Sequence, residues 1–362
     1  MCKEGGGGLP LIDFPNVNED NRASVRSVRQ SLSFAGGSMS REHIDHRDLA
    51  VFGETHVNLK REVASKYREQ VNNLRKRLEQ RLKEDPEFRL RRMLLSGSLA
   101  KGTALRSLND IDVALYILQE DRPTDKRAFK EFIEWLANTL RELYPNIEPS
   151  QIRPQKHSVR ISFRNGLDVD IVPIAYDGNQ EWDGYLYTVG TDRWLKTNIP
   201  KQLEFIRKRK RAHPQHFAQV VRFLKYWIKE IKKRDESFTF KSFLVELTLA
   251  YLADRNEIKI DDYVEALAGY FNFIVTGGLD GIIAFDDYYQ RDEVHDDNKP
   301  MRIFDPVNPG NNASGTYTSV NKAAIVREAS EAADAVDAAL YATTKSETIR
   351  YWQKIFGPSF GG

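Results

Sequence analysis

Two aspartates one residue apart, Asp110 and Asp112, open a run of strand-forming residues, Ile111–Ile117. Side chains two apart on a strand share a face. Both carboxylates therefore point one way, while Ile111 and Val113 point into a core. Crowded carboxylates repel and raise each other's pKa unless a cation neutralises them, and a hard divalent ion such as Mg2+ suits oxygen ligands. An isolated Asp-x-Asp reads as the polar edge of a strand, but this pair is not isolated. Leu167-Asp168-Val169-Asp170-Ile171-Val172-Pro173 repeats the alternation, with Asp168 and Asp170 on one face and Val169 and Ile171 on the other. Pairing that segment beside the first strand would bring a third carboxylate to the ion. Three carboxylates on two strands fit phosphoryl transfer at two divalent ions, one activating the attacking hydroxyl and one stabilising the leaving pyrophosphate. Upstream, Gly97-Ser98 offers backbone N–H groups and a hydroxyl to a phosphate, glycine allowing close backbone approach. Gly102-Thr103 adds a second small, polar pair.

Several elements must position these residues. Leu59, Val63, Tyr67, Val71, Leu74, Leu78 and Leu82 form one apolar stripe at helical period, which predicts a long helix over Val57–Lys83 ended by Pro86. A second amphipathic helix carries Phe129, Phe132, Ile133, Leu136, Leu140 and Leu143. Val159–Phe163 and Leu167–Ile174 are strand-like runs joined by Arg164-Asn165-Gly166, and Asn-Gly between such runs is a strong hairpin signal. After Trp182 the strand signals fade, and Phe217–Ile231, Phe240–Leu252, Val264–Phe271 and Ala323–Tyr341 read as helices. The first half is thus mixed, the second mostly helical.

The chain of 362 residues is long enough for about two domains. Its one cysteine, Cys2, excludes an intramolecular disulfide framework and a cysteine-based zinc site, and fits a reducing compartment. No apolar run reaches the roughly 18–20 residues of a membrane span, and the N-terminus lacks a signal-peptide core, so a cytoplasmic protein is expected. Residues 1–38, with the run Gly5–Gly8, read as a flexible or appended arm. The formal net charge of +2 carries no nucleic-acid signal. Twelve Lys/Arg against two Glu between Lys201 and Arg234 read first as a solvated helix face, with a phosphate-attracting surface as the alternative. Gly357 and Pro358 break the last helix, leaving 357–362 as an exposed, flexible tail.

Gly97-Ser98, Asp110-Ile111-Asp112 and Asp170 together resemble the nucleotidyltransferase signature of the polymerase-β-like superfamily. The segment Gly97-Ser98-Leu99-Ala100-Lys101-Gly102-Thr103-Ala104 followed by Asp110-Ile111-Asp112 is similar to the bacterial cGAS/DncV-like nucleotidyltransferases (CD-NTases) of CBASS antiphage systems. The resemblance implies an α+β fold: a polymerase-β-like core, a mixed sheet flanked by helices with a long spine helix, over residues 39–190. A helical, oligoadenylate-synthase-like second domain would span 191–356. It implies a Mg2+-dependent (or Mn2+-dependent) enzyme with two ions on Asp110, Asp112 and Asp170, joining NTPs, ATP among them, into a cyclic di- or trinucleotide with release of pyrophosphate. Asp170, rather than Asp168, is the third carboxylate because Asp170-Ile171-Val172-Pro173 resembles the family's Asp-x-x-Pro arrangement. Gly97, Ser98, Lys101, Thr103, Lys225 and Ser242 are then nucleotide-binding, Phe243 stacks on a base, and Asp183, Tyr185, Thr197 and Asn198 contribute to base choice. A cyclic-nucleotide-responsive effector acts downstream. The terminal Gly361-Gly362 suits conjugation at Gly362 by an E1/E2-like protein, or another CBASS regulator takes that place. Direct nucleic-acid activation of the zinc-dependent kind is not expected. The alternative product class is that of a linear oligoadenylate synthase or a toxin that nucleotidylates RNA or protein. A catalytically inactive nucleotide-sensing module is disfavoured by the full set of carboxylates.

Overall fold

The computed structural model describes residues 43–83, 89–118, 126–188 and 193–362. The N-terminal arm of residues 1–38 and the expected helix stop at Pro86 lie outside the described residues. The described residues begin with a short helix, α1 (His46–Phe52), capped by Asp45 and running into a π-helical turn at Gly53–Val57. The spine helix, α2 (Arg61–Lys83), follows. It starts later than the apolar stripe suggests, because Asn58 is extended and forms a β-bridge with Leu105. Then come β1 (Arg89–Leu95), the single-turn helix α3 (Gly97–Lys101), β2 (Asp110–Leu118), α4 (Lys126–Leu143), β3 (Ile152–Pro154), β4 (Val159–Ser162), β5 (Asp168–Tyr176), β6 (Gly184–Thr188) and β7 (Arg193–Thr197).

These strands form one mixed sheet in the order β1-β2-β5-β4-β3, with β6 paired to the end of β5 and β7 to β6. Only β2 and β5 run parallel in it; the other pairings are antiparallel. Gly166, at φ +80°, turns the β4–β5 hairpin. The expectation that strands end near Trp182 is corrected by β6 and β7. Both are five residues long, too short for periodicity to stand out, and the pairing of β6 to β5 and of β7 to β6 is what orders them.

The second half supplies α5 (Ile199–Ala212), α6 (His216–Arg234), α7 (Ser242–Asp254), α8 (Tyr263–Val275), a small sheet of β8 (Ile282–Ile283), β9 (Arg302–Asp305) and β10 (Asn308–Asn312), then α9 (Ser319–Tyr341) and α10 (Lys345–Phe356).

Two principal cores result. Leu74, Leu78 and Leu82 of α2 and Ile133, Leu136 and Leu140 of α4 pack on Ile111, Val113, Val169 and Ile171 of the sheet. Phe223 and Trp227 of α6, Leu247 of α7, Phe271 of α8 and Phe356 of α10 anchor the helical core. Leu49, Phe52 and Val57 belong to that helical core. A boundary near residue 190 therefore does not separate the lobes: the described chain starts in the helical lobe, builds the sheet through β7, and returns.

Two further expectations change. The tail 357–362 is not free, since Phe360 is 2% exposed and its ring lies among Phe52, Trp352 and Phe356. Gln353 donates to its carbonyl at 3.0 Å; only Gly361 and Gly362 beyond it are exposed. The basic run is not simply a solvated face either. Arg209 is buried, donates from Nε to Asp254 (3.1 Å) and from Nη1 to Asp287 (2.9 Å), and lies over Phe205. Lys208 pairs with Asp287, Arg211 with Glu204 and Arg234 with Glu328.

Candidate active site

The parallel pairing of β2 and β5 sets Asp110 beside Asp168 and Asp112 beside Asp170. Paired residues in a ladder project to the same face, so four carboxylates gather on one side of the sheet. Ile111, Val113, Val169 and Ile171 fill the opposite side completely, which pins this register.

Asp112 is exposed to solvent on the sheet face, like Asp110, yet protein is packed closely around its carboxyl. That partial desolvation, then the charges of Asp110 and Asp170, push its carboxyl up to about 6 against the pull of Lys101 and Arg160. Gly97 stands directly over it: a Cβ there would come 1.9 Å from Asp112 Oδ2, and the residue sits at φ +62°. Glycine is thus required both by the approach and by the backbone. Ser96 N–H donates to the Asp112 carbonyl at 2.8 Å, tying the start of α3 to the strand below.

The third carboxylate is engaged. Arg160, directly opposite Asp170 on β4, donates from Nε to Oδ1 at 2.9 Å and from Nη2 to Oδ2 at 2.6 Å, while its Nη1 reaches Asp168 Oδ2 at 3.1 Å. Those bonds hold the Arg160 guanidinium firmly charged. Among the described residues no three His, Cys, Asp or Glu side chains close around a single point. The donor set nevertheless fits a hard divalent ion: oxygen ligands on one face, one of them with its carboxyl raised by desolvation and by its neighbours, beneath a glycine whose lack of a side chain permits the close approach.

The cations expected at a triphosphate form a second cluster. Lys225 is buried and donates to Glu246 Oε1 (3.1 Å), Thr103 Oγ1 (3.1 Å) and the Thr103 carbonyl (3.2 Å). Lys101 donates to Glu246 Oε2 at 2.8 Å, and Thr103 Oγ1 to Glu246 Oε1 at 2.9 Å. Burial alone would raise the Glu246 carboxyl; Lys101 and then Lys225 overcome that and hold it down at about 2. Two lysines share one carboxylate, so the cluster carries spare positive charge next to α3. Thr103 is fully buried, so it braces Glu246 and Lys225 instead of facing a ligand. Ser242 opens α7 and is exposed. Phe243 is half-buried, with Lys101 Nζ 5.0 Å from its ring centre.

The residues considered for base choice come together only in part. Asn198 caps α5 by accepting from Lys201 N–H at 2.9 Å, and its amide donates to Asp183 Oδ1 at 2.9 Å. Asn198 and Thr197 are buried, which makes them architectural. Sequence reasoning missed Arg160 and gave Glu246 no role. Arg160 was within reach: the Asn-Gly hairpin register alone sets it opposite Asp170. Glu246 gives no such signal, because its partners Lys101, Thr103 and Lys225 come from segments distant in the sequence.

Comparison with known proteins agrees with this geometry. The model of the Second Messenger Oligonucleotide or Dinucleotide Synthetase domain matches residues 46–209. The cyclic AMP-AMP-AMP synthase of Escherichia coli (strain MS 115-1) is 49% identical over 325 residues, spanning 90% of this chain and all of that protein. The chain belongs to the CD-NTase family of CBASS oligonucleotide cyclases. A second family member, the CBASS oligonucleotide cyclase CdnC of Escherichia coli (strain KTE188), is 27% identical over 313 residues, 84% of this chain and 93% of that one. The solved structure of E. coli MS115-1 CdnC with ATP superposes with a TM-score of 0.81 at 48% identity, covering 89% of this chain and 100% of that chain. Vibrio cholerae DncV, a cyclic AMP-GMP synthase, shares the fold at 15% identity with a TM-score of 0.55, over 75% of this chain and 70% of its own. The enzyme is therefore a nucleotidyltransferase that makes a cyclic oligonucleotide from NTPs in antiphage defence.

Proposed function

We propose that the product is a cyclic triadenylate made from ATP, at a divalent-metal site built on Asp110, Asp112 and Asp170. The observation that carries the site is the parallel register setting Asp112 beside Asp170 under Gly97. Near-half identity along the whole of a cyclic AMP-AMP-AMP synthase supports the base and the ring size. Mg2+ held by these carboxylates would supply charge neutralisation at the α-phosphate and the leaving pyrophosphate. Gly97 and Ser98 bind the donor phosphates, Lys101, Lys225 and Ser242 supply positive charge and a hydroxyl beside them, and Phe243 offers a ring to a base. Asp170 takes the proton of the acceptor hydroxyl. The hydroxyl oxygen then bonds to the α-phosphorus, the bond to the bridging oxygen breaks, and pyrophosphate leaves. The remaining acceleration comes from positioning.

Incubation with ATP alone, GTP alone and mixed NTPs, followed by phosphatase and mass spectrometry, tests this reading. A phosphatase-resistant triadenylate from ATP alone is expected. A product needing two different NTPs overturns the base assignment, and a phosphatase-sensitive product overturns cyclisation.

For the regulator, a HORMA-domain protein is the partner we infer, because E. coli MS115-1 CdnC, 48% identical, was solved in a complex with HORMA-deltaN. Conjugation at Gly362 is the less supported route: Phe360 anchors the tail and leaves two residues to thread an enzyme tunnel. No described helix is long and apolar enough to cross a membrane, in keeping with work in the cytoplasm.

A further inference from the structure

We propose that Arg160 is the resident counter-ion of the carboxylate cluster. Its guanidinium stands in for a divalent ion on Asp170 in the metal-free enzyme, and it must yield that carboxylate before the full metal site forms. The proposal rests on the assignment of Asp110, Asp112 and Asp170 as metal ligands.

The geometry is specific. Arg160 and Asp170 are directly opposed across the β4–β5 hairpin. Val159 and Ile161 on either side of Arg160 are fully buried, so the arginine is fixed in register. Two parallel bonds, 2.9 and 2.6 Å, take both oxygens of Asp170, and a third at 3.1 Å takes Asp168. A planar fork of this kind fixes the plane of a carboxylate as well as its charge. Lys101, the other cation whose field reaches Asp112, is already committed to Glu246. Arg160 is thus what keeps four carboxylates together when no ion is present.

The same bonds oppose an ion. A carboxylate has about four lone-pair positions, and the fork draws on both oxygens of Asp170. An ion placed on the others lies within like-charge range of the guanidinium. Ion binding at Asp170 and the Arg160 pair therefore compete. The full metal site gains most when a triphosphate adds its own negative charge, which couples ion binding to nucleotide binding and leaves the nucleotide-free site under-filled.

Mn2+ binding to the full-length protein without nucleotide, followed by electron paramagnetic resonance and by Tm, tests this. Arg160→Gln should bind Mn2+ about tenfold tighter or more, the scale of a lost like charge beside a carboxylate. Its Tm gain on adding Mn2+ should exceed that of wild type. Arg160→Lys keeps charge without the fork and should lie between. Unchanged affinity in Arg160→Gln makes the bridge merely structural, and weaker binding makes Arg160 a residue that pre-orients Asp170 for the ion; either overturns the proposal. Asp110→Asn with Asp112→Asn is the separate control: if it leaves Mn2+ affinity intact, the ligand assignment itself fails. If Arg160→Gln does not fold, the wild type still decides. The Arg160 Nε–H resonance, assigned by its loss in Arg160→Lys, should move on saturation with Mg2+, and an unmoved resonance overturns the proposal.

Discussion

Asp112 answers to opposing demands. The proposed metal site needs it ionised, and its surroundings resist that. Its carboxyl is raised from 3.8 to about 6 in the folded, metal-free protein, so the folded state holds that proton more tightly than the unfolded chain. The penalty of the ionised group is absent at acid pH, grows as pH rises through about 4 to 6, and is complete above that. Asp112→Asn removes the penalty. The metal-free variant should melt higher than wild type at neutral pH, by the equivalent of about 1 kcal/mol after solvent screening. That gain should fade toward about pH 4; a Tm lowered at neutral pH would refute the argument. Coupled with Asp110→Asn, the substitution should bring pyrophosphate release to background while circular dichroism stays native. Near-wild-type turnover in the pair would remove these residues from the site. For Mg2+-supported activity the sign reverses: ion and proton compete for Asp112, so the Mg2+ requirement should rise below about pH 6. The carboxylates were legible because alternation on a strand is a strict period of two. Arg160 was legible in principle by the same rule, one strand further out.

The single turn of α3 joins the two clusters. Its first residue, Gly97, presses on Asp112, and its last, Lys101, reaches Glu246 of α7. Gly97→Ala should be severe locally and mild globally. The added methyl meets the Asp112 carboxylate and the φ of +62° is disfavoured for alanine, a strain of about 1–3 kcal/mol. Pyrophosphate release should drop far more than Tm, and a turnover unaffected by the methyl would show that the approach is not required. Glu246→Gln tests the other end. It leaves Lys101 and Lys225 without their shared counter-charge, and breaking a buried pair costs about 3–5 kcal/mol, readable in a urea midpoint. Because Glu246 is held down at about 2 from an ordinary 4.5, its contribution is present above 4.5 and is lost as pH falls toward 2. The wild type and Glu246→Gln should therefore converge in stability in acid. Elements with a long stripe, such as α2, were legible from spacing. α1 was not: its seven residues bury only Leu49 and Phe52, and nothing local shows that they belong to a core assembled more than a hundred and fifty residues later. β8–β10 are two to five residues long, and β10 is Asn-Pro-Gly-Asn-Asn, so their pairing is a tertiary result.

At the scale of the molecule, the described chain crosses between lobes twice, and the proposed site lies along that seam. Asn58 bridges Leu105 and donates to Gln219 of α6, Lys210 of α5 donates to the Lys101 carbonyl, and Arg222 of α6 to that of Gly102. The turn proposed to face the phosphates is thus held by the helical lobe as much as by the sheet. The C-terminus closes that helical lobe. Phe360 packs on Phe52, which comes from α1, so the last residues and the first described helix share one aromatic cluster. Truncating a buried phenylalanine to alanine costs about 3–5 kcal/mol, and Phe360→Ala should lower Tm accordingly and loosen α1. Deletion of Gly361 and Gly362 removes only exposed backbone beyond the anchor, and should leave both Tm and NTP turnover of the isolated enzyme unchanged. A matched pair of melts and pyrophosphate assays separates the two variants. If Phe360→Ala melts with the wild type, the tail is not a structural clasp, and the free end first expected from Gly357-Pro358 returns as the better description, with Gly362 again able to reach a conjugating enzyme.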